Sequence, residues 1–323
     1  MVGQYRVVIQ NKRMHYDFTI KRNITIIRGD SATGKTTLIN MVREFYQNGI
    51  DSGIDVKCDI RCVVLEGNDW EIDLQKFDKC LVFIDEGNKF ITSLEFAKKI
   101  QETNNYYVIV TRESLPALPY SVEEVYGIRD SGKYGTIKKI YNELYGIYSS
   151  RKIMDGPIDL VVVEDSNAGF QFFEHVYHEK RIPCITAQGK SNVYSVIRQK
   201  QIKKVLVIAD GAAFGAEMEK VLGLEKNKYQ IQLFLPESFE WMILKSGLLA
   251  DKNIIEVLEC PEKYIESQLY FSWERFFTQF LVDMTQNTFW QYNKRKLNEV
   301  YLHEKNVEKI LHSFLVDNYE ETE

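Results

Sequence analysis

Cysteine is scarce in this chain. Five residues in 323 (Cys58, Cys62, Cys80, Cys184 and Cys260) fall at scattered positions, which excludes a disulfide framework and points to reduced thiols in a cytosol. No apolar run approaches the roughly 18 residues that a membrane span needs. The opening MVGQYRVVIQNKRMHYDF is polar and alternating, unlike a secretory leader. A cytoplasmic chain with no membrane partner is the expectation. Excess positive charge is also missing: the formal net charge is −5, so no global basic field holds the protein on nucleic acid, and such a site would have to be a local patch. Several chemistries lack their motifs. Cys58-x-x-x-Cys62 has no second close Cys/His pair to complete a zinc site, and His175 and His178 have no obvious third ligand. No Gly-x-Ser-x-Gly elbow is present. No Asn-Lys-x-Asp occurs either, the near matches at Asn88-Lys89 and Asn227-Lys228 lacking the aspartate, so adenine is the default base for any nucleotide.

What is present begins with length. At 323 residues, against a prior of roughly 150 per domain, two domains are expected, each able to bury a core. Hydrophobic residues at 45% and charged residues at 27% are those of an ordinary globular protein. QYRVVIQ, HYDFTI and NITIIRG read as strands. TTLINMVREFYQNG then has helical spacing at Leu38, Val42 and Phe45, with Gly49 as a stop. Between strand and helix lies Gly29-x-x-x-x-Gly34-Lys35-Thr36, and this context makes the match a phosphate loop. Its glycines let backbone N–H groups turn toward phosphate oxygens, and the start of the helix adds a favourable dipole. The nucleotide-holding residues are therefore Gly29, Asp30, Ser31, Ala32, Thr33, Gly34, Lys35, Thr36 and Thr37. Lys35 supplies a point charge, and the Thr36 hydroxyl can ligate Mg²⁺.

A second element has the matching chemistry. KCLVFIDEGNKF holds a buried-type strand, Leu81 to Ile84, ending in Asp85-Glu86. Asp85 can hold the Mg²⁺ water shell opposite Thr36, and Glu86 can polarise an attacking water. The strand YYVIV runs on to Arg112, which fits a γ-phosphate sensor and a plain surface arginine equally. On these motifs, residues 1–130 resemble the ATP-binding half of ABC-type and related P-loop ATPases. No Leu-Ser-Gly-Gly-Gln-like signature or long helical insertion lies between Lys35 and Asp85. The stretch from Gly127 to Pro157, rich in Gly, Ser, Tyr and Lys, loses periodicity and reads as a domain junction.

From residue 158 short apolar strands alternate with helices. IDLVVVEDS, IPCITAQGKSN, KKVLVIADGAAFG and YQIQLFLPESF are the strands, and such alternation implies a parallel sheet with its site beyond the carboxyl ends. That rule places Glu164 and Asp210 on one rim, where two carboxylates form a candidate Mg²⁺ site. With the turn AQGKSN and the later Glu237 and Glu240, these acids resemble a Toprim domain. A P-loop ATPase ahead of a Toprim domain is the layout of the OLD-family nucleases and related anti-phage defence proteins. The resemblance implies metal-dependent action on nucleic acid; Ala212, where the family carries a second aspartate, leaves open a module that recruits a protein partner or assembles the chain with itself. The expected architecture is thus α/β: a P-loop NTPase domain over 1–150, a parallel-sheet Toprim-like domain over 153–250 and a helical C-terminal region over 251–323. In that last region Trp273, Phe276, Phe277 and Phe280 form one apolar face, read as core in preference to a base-stacking surface. Lys294, Arg295 and Lys296 read as a solvated helix face.

Overall fold

Runs of β-branched and aromatic residues supply the strands and amphipathic stretches the helices, in two compact units, one of residues 1–150 with 262–271 and the other of 151–261 with 272–323. The computed structural model describes residues 1–29, 34–132, 139–148 and 157–315. Asp30, Ser31, Ala32 and Thr33 of the phosphate loop, and the domain boundary expected at 150–153, lie outside the described residues.

In the first unit the chain runs through β1 (Tyr5–Gln10), β2 (Met14–Ile20), β3 (Ile24–Ile27), α1 (Lys35–Asn48), β4 (Asp55–Lys57), β5 (Cys62–Val64), α2 (Trp70–Leu74) and β6 (Leu81–Ile84). It continues through α3 (Leu94–Gln101), β7 (Tyr106–Val110), β8 (Val125–Asp130) and β9 (Ile140–Gly146). Among the described residues nine strands form one mixed sheet in the order β4-β1-β2-β9-β8-β3-β7-β6-β5. From β8 to β5 the neighbours are parallel, with Ile27 level with Val110 and Ile84 level with Ile109. The carboxyl ends of β3, β7 and β6 therefore share one edge, which carries Gly29, Arg112 and Asp85-Glu86. β3 and β6 are buried along their whole length, as strands covered on both faces require. Against the sheet α1 buries Leu38, Ile39 and Val42, each worth about 1.5–3 kcal/mol when removed from water. The helix ends at Gly49, whose φ of 58° is one that glycine adopts without the strain of an L side chain.

The junction differs from expectation. Part of the stretch without clear periodicity is strand: β9 is inserted between β2, to which it runs parallel, and β8, to which it runs antiparallel. Only Asn142 of its seven residues is buried, so no hydrophobic alternation marks it.

The second unit contains β10 (Leu160–Val163), α4 (Ala168–Glu179), β11 (Cys184–Thr186), α5 (Val193–Lys200), β12 (Lys204–Ile208), α6 (Met218–Gly223) and β13 (Gln230–Phe234). The helices α7 (Phe239–Lys245), α8 (Lys252–Glu259), α9 (Trp273–Thr285) and α10 (Glu304–Leu315) follow. Its four strands are all parallel in the order β11-β10-β12-β13. The helical tail is not a body of its own. Residues 262–271 belong to the first unit, while α9 and α10 pack on α7 in the second. Trp273, Phe276 and Phe277 of the expected aromatic face are buried there, while Phe280 is half-buried and stacks on Phe276. Lys294–Lys296 lie in an irregular stretch between α9 and α10, not on a helix. Among the described residues no helix is long and apolar enough to cross a membrane.

Candidate functional site

At the carboxyl edge of the parallel strands in the first unit lies a cleft of about 800 Å³. That volume falls within the range of ~300–1,000 Å³ common for small-molecule sites. Gly34, Lys35, Thr36 and Thr37 from the start of α1 line it, with Glu86 after β6 and Arg112 after β7. Met14, Ile128, Ile140 and Asn142 from β2, β8 and β9 line it as well. The sequence motifs pointed to the first group; Ile140 and Asn142 had no signal because β9 was not visible as a strand, and Met14 and Ile128 belong to no motif.

Local chemistry sets each position. Gly34 precedes α1 with φ 93°, a conformation that L side chains rarely adopt. Its carbonyl accepts a hydrogen bond from the Tyr16 hydroxyl at 2.9 Å. Lys35 is 5% exposed, and its ammonium donates to the Gly29 carbonyl at 2.7 Å. The cation is thus tied to the backbone just past the end of β3. Thr36 and Thr37 are exposed to the cleft. The Asp85 carboxylate accepts the Glu86 N–H at 2.8 Å, which holds the two acids in a fixed relation at the strand end. Glu86 is gripped by Arg112 in a two-point pair, Nε to Oε2 and Nη2 to Oε1, both 3.0 Å. Such fork pairing is directional. With Arg112 more than half exposed, it adds little to stability. The residues fit a nucleoside triphosphate: a 14-residue helix starts at the cleft, with a lysine and two hydroxyls beside its first amides.

In the second unit Glu164 follows β10 and Asp210 lies just past β12. The two strands are neighbours, with Val163 level with Ile208, so the acids do share a rim. They meet at a cavity of only about 10 Å³, lined also by Asp165, Gly169, Pro236 and Phe239, which is room for about one water. Asp165 is spent on structure: its oxygens accept the N–H groups of Ser166 and Gly169 at the start of α4, 2.8 and 3.0 Å away. Ala212, where a second aspartate was sought, is buried and donates its N–H to the Glu237 carbonyl.

More charge collects here than the motifs suggested. Glu240 is 2% exposed; its Oε1 accepts the Tyr292 hydroxyl at 2.8 Å and lies 3.5 Å from the Lys294 ammonium. Lys190, from the turn after β11, donates to the Ala213 carbonyl at 3.0 Å. Burial, then the charges of Glu274 and Asp165, raise Glu164 to about 7. Burial and the neighbouring Glu164, Glu274 and Glu240 push Asp210 well above the usual carboxylate range. Glu274 is raised too, first by burial. Burial lowers Lys190, against the pull of Glu274 and Glu164. For Lys294, burial is outweighed by Glu240, Asp210 and Glu274, which raise it. Among the described residues no three His, Cys, Asp or Glu side chains are gathered as a metal ion requires. Of the charged set, Glu274, Lys190 and Lys294 were not foreseen as site residues, since each is ordinary in its own stretch of sequence.

No protein-family model matches the chain, and no curated protein matches it.

Proposed function

We propose that this is a cytoplasmic, magnesium-dependent ATPase whose nucleotide state governs the second unit. The observation that carries the reading is the convergence of Lys35, Thr36, Thr37, Glu86 and Arg112 on one cleft at the carboxyl edge of β3, β7 and β6. In this reading the amides and Lys35 at the start of α1 bind the phosphates, Thr36 and Asp85 serve the magnesium ion, and Glu86 orients the attacking water. Bound magnesium supplies charge neutralisation on the phosphate oxygens. Arg112 has two anionic partners to choose between. Arg112 pairs with Glu86 at two points; a γ-phosphate would compete for the guanidinium and leave Glu86 to orient water.

The deciding experiment is calorimetric titration of the pure chain with ATP and magnesium, beside phosphate-release kinetics. Lys35→Ala should remove binding, whereas Glu86→Gln should keep binding and lower turnover by about 10²-fold or more, the usual range for a general base. Uptake of ATP that survives Lys35→Ala would overturn the reading.

For the second unit, metal-dependent cleavage of nucleic acid follows from the Toprim resemblance, and recruitment of a protein partner or self-assembly is the second reading. The lysines set among the acids favour the second. Incubation with plasmid DNA and Mg²⁺ or Mn²⁺, with and without ATP, separates them: cleavage lost in Glu164→Ala supports the nuclease, and intact DNA alongside ATP-dependent assembly supports recruitment.

A further inference from the structure

The Toprim resemblance implies a divalent cation at Glu164 and Asp210, and the residues around those acids do not fit one. Magnesium needs several oxygen ligands, and among the described residues no three acid, histidine or cysteine side chains are gathered as a metal ion requires. The position of a further aspartate is taken by buried Ala212. Glu240 turns Oε1 to a tyrosine hydroxyl and a lysine ammonium, so that oxygen already has its partners.

We propose that Lys294 and Lys190 are the resident counter-cations of this rim, taking the charge-neutralising place that the resemblance gives to a metal. Lys294 is 40% exposed along its side chain, and its ammonium stands 3.5 Å from Glu240 Oε1. Its carbonyl accepts the Ala168 N–H at 2.9 Å, tying the stretch after α9 to the start of α4, and its ammonium also reaches Thr278 Oγ1 at 3.5 Å. From there its charge acts on Glu240, Asp210 and Glu274. Lys190 is anchored on the other side by the Ala213 carbonyl, just past the Asp210-Gly211-Ala212 turn, and its charge acts on Glu274 and Glu164. The inference concerns the second unit alone and stands whether or not the first binds ATP.

Manganese supplies the test, because free Mn²⁺ is read directly by electron paramagnetic resonance and no activity is needed. The full chain is titrated at neutral pH without nucleotide, as wild type, Asp210→Asn, Lys294→Met, Lys190→Met and the double variant Lys294→Met with Asp210→Asn. The expected result is that wild type and Asp210→Asn bind Mn²⁺ equally weakly. Either lysine substitution strengthens binding by on the order of tenfold or more, since a like charge has been removed beside the acids. Adding Asp210→Asn to Lys294→Met cancels the gain. Tight uptake by wild type that Asp210→Asn abolishes would overturn the proposal, as would unchanged affinity in folded Lys294→Met and Lys190→Met. Should either lysine variant fail to fold, the comparison of wild type with Asp210→Asn still decides.

Discussion

Gly34 is the point where backbone and side-chain demands coincide. Its φ of 93° is strained for any L residue, and an added Cβ would lie 2.9 Å from the Tyr16 hydroxyl. Gly34→Ala should cost about 1–3 kcal/mol and remove ATP binding. Adding Tyr16→Phe should restore only part of the stability, because the collision is relieved and the backbone strain is not; thermal melts of the two variants check the order. A second residue-scale effect concerns Glu124, which is fully buried, 3.5 Å from Arg22 and hydrogen-bonded by Thr25 at 3.0 Å. Burial raises its carboxyl to about 7, against the opposing charge of Arg22. Between its ordinary value near 4.5 and about 7, the folded chain binds more protons here than the unfolded one. Glu124 therefore contributes most at low pH, and that contribution is lost as pH rises through about 7. Melting temperatures across this window should fall with pH in wild type and less steeply in Glu124→Gln, a difference of about 3 kcal/mol in stability.

Among the elements, the exit of β12 is tightly constrained by backbone. A Cβ on Gly211 would stand 2.5 Å from the Leu235 carbonyl oxygen and 3.0 Å from that of Pro236. The Gly211 N–H also donates to the Pro236 carbonyl at 2.6 Å. Both obstacles are backbone, which cannot swing aside. Gly211→Ala should therefore destabilise the second unit by about 1–3 kcal/mol, read as a lower urea midpoint, and displace Asp210 from the rim. The strands flanking this turn were legible in the sequence because each is a short apolar run, and VLVIADGA and LFLPES announce where they stop. β9 was not legible. A strand that buries one residue in seven is held by pairing with β2 and β8 on its two edges, and hydrogen bonds to distant partners leave no periodic trace in side-chain type. The stretch after α9 misled for a related reason: its basic and aromatic residues suit a helix, yet Tyr292 and Lys294 are fixed by Glu240 of another element.

At the scale of the whole molecule the chain order and the units do not coincide. Residues 262–271 return to the first unit. There the buried Asn23 side chain donates to the Ser267 carbonyl at 3.1 Å, and the Gly3 N–H donates to the Glu262 carbonyl at 2.6 Å. A fragment ending at residue 148 loses these hydrogen bonds, each worth about 0.5–1.5 kcal/mol net. That fragment should melt below the first transition of the full chain, and a peptide spanning 262–271 should raise its melting temperature.

The amino-acid sequence alone settled the alternation of strands and helices, the glycine loop between β3 and α1, and the acids at the ends of β6, β10 and β12. Those features rest on near neighbours: side-chain period, turn chemistry and the residue types that phosphate oxygens demand. Tertiary structure alone decided that Arg112 holds Glu86, that β9 walls the cleft, and that two lysines stand among the acids of the second unit. A charge takes its meaning from whatever the folded chain brings within a few ångströms of it, and no local pattern records which distant segment that will be.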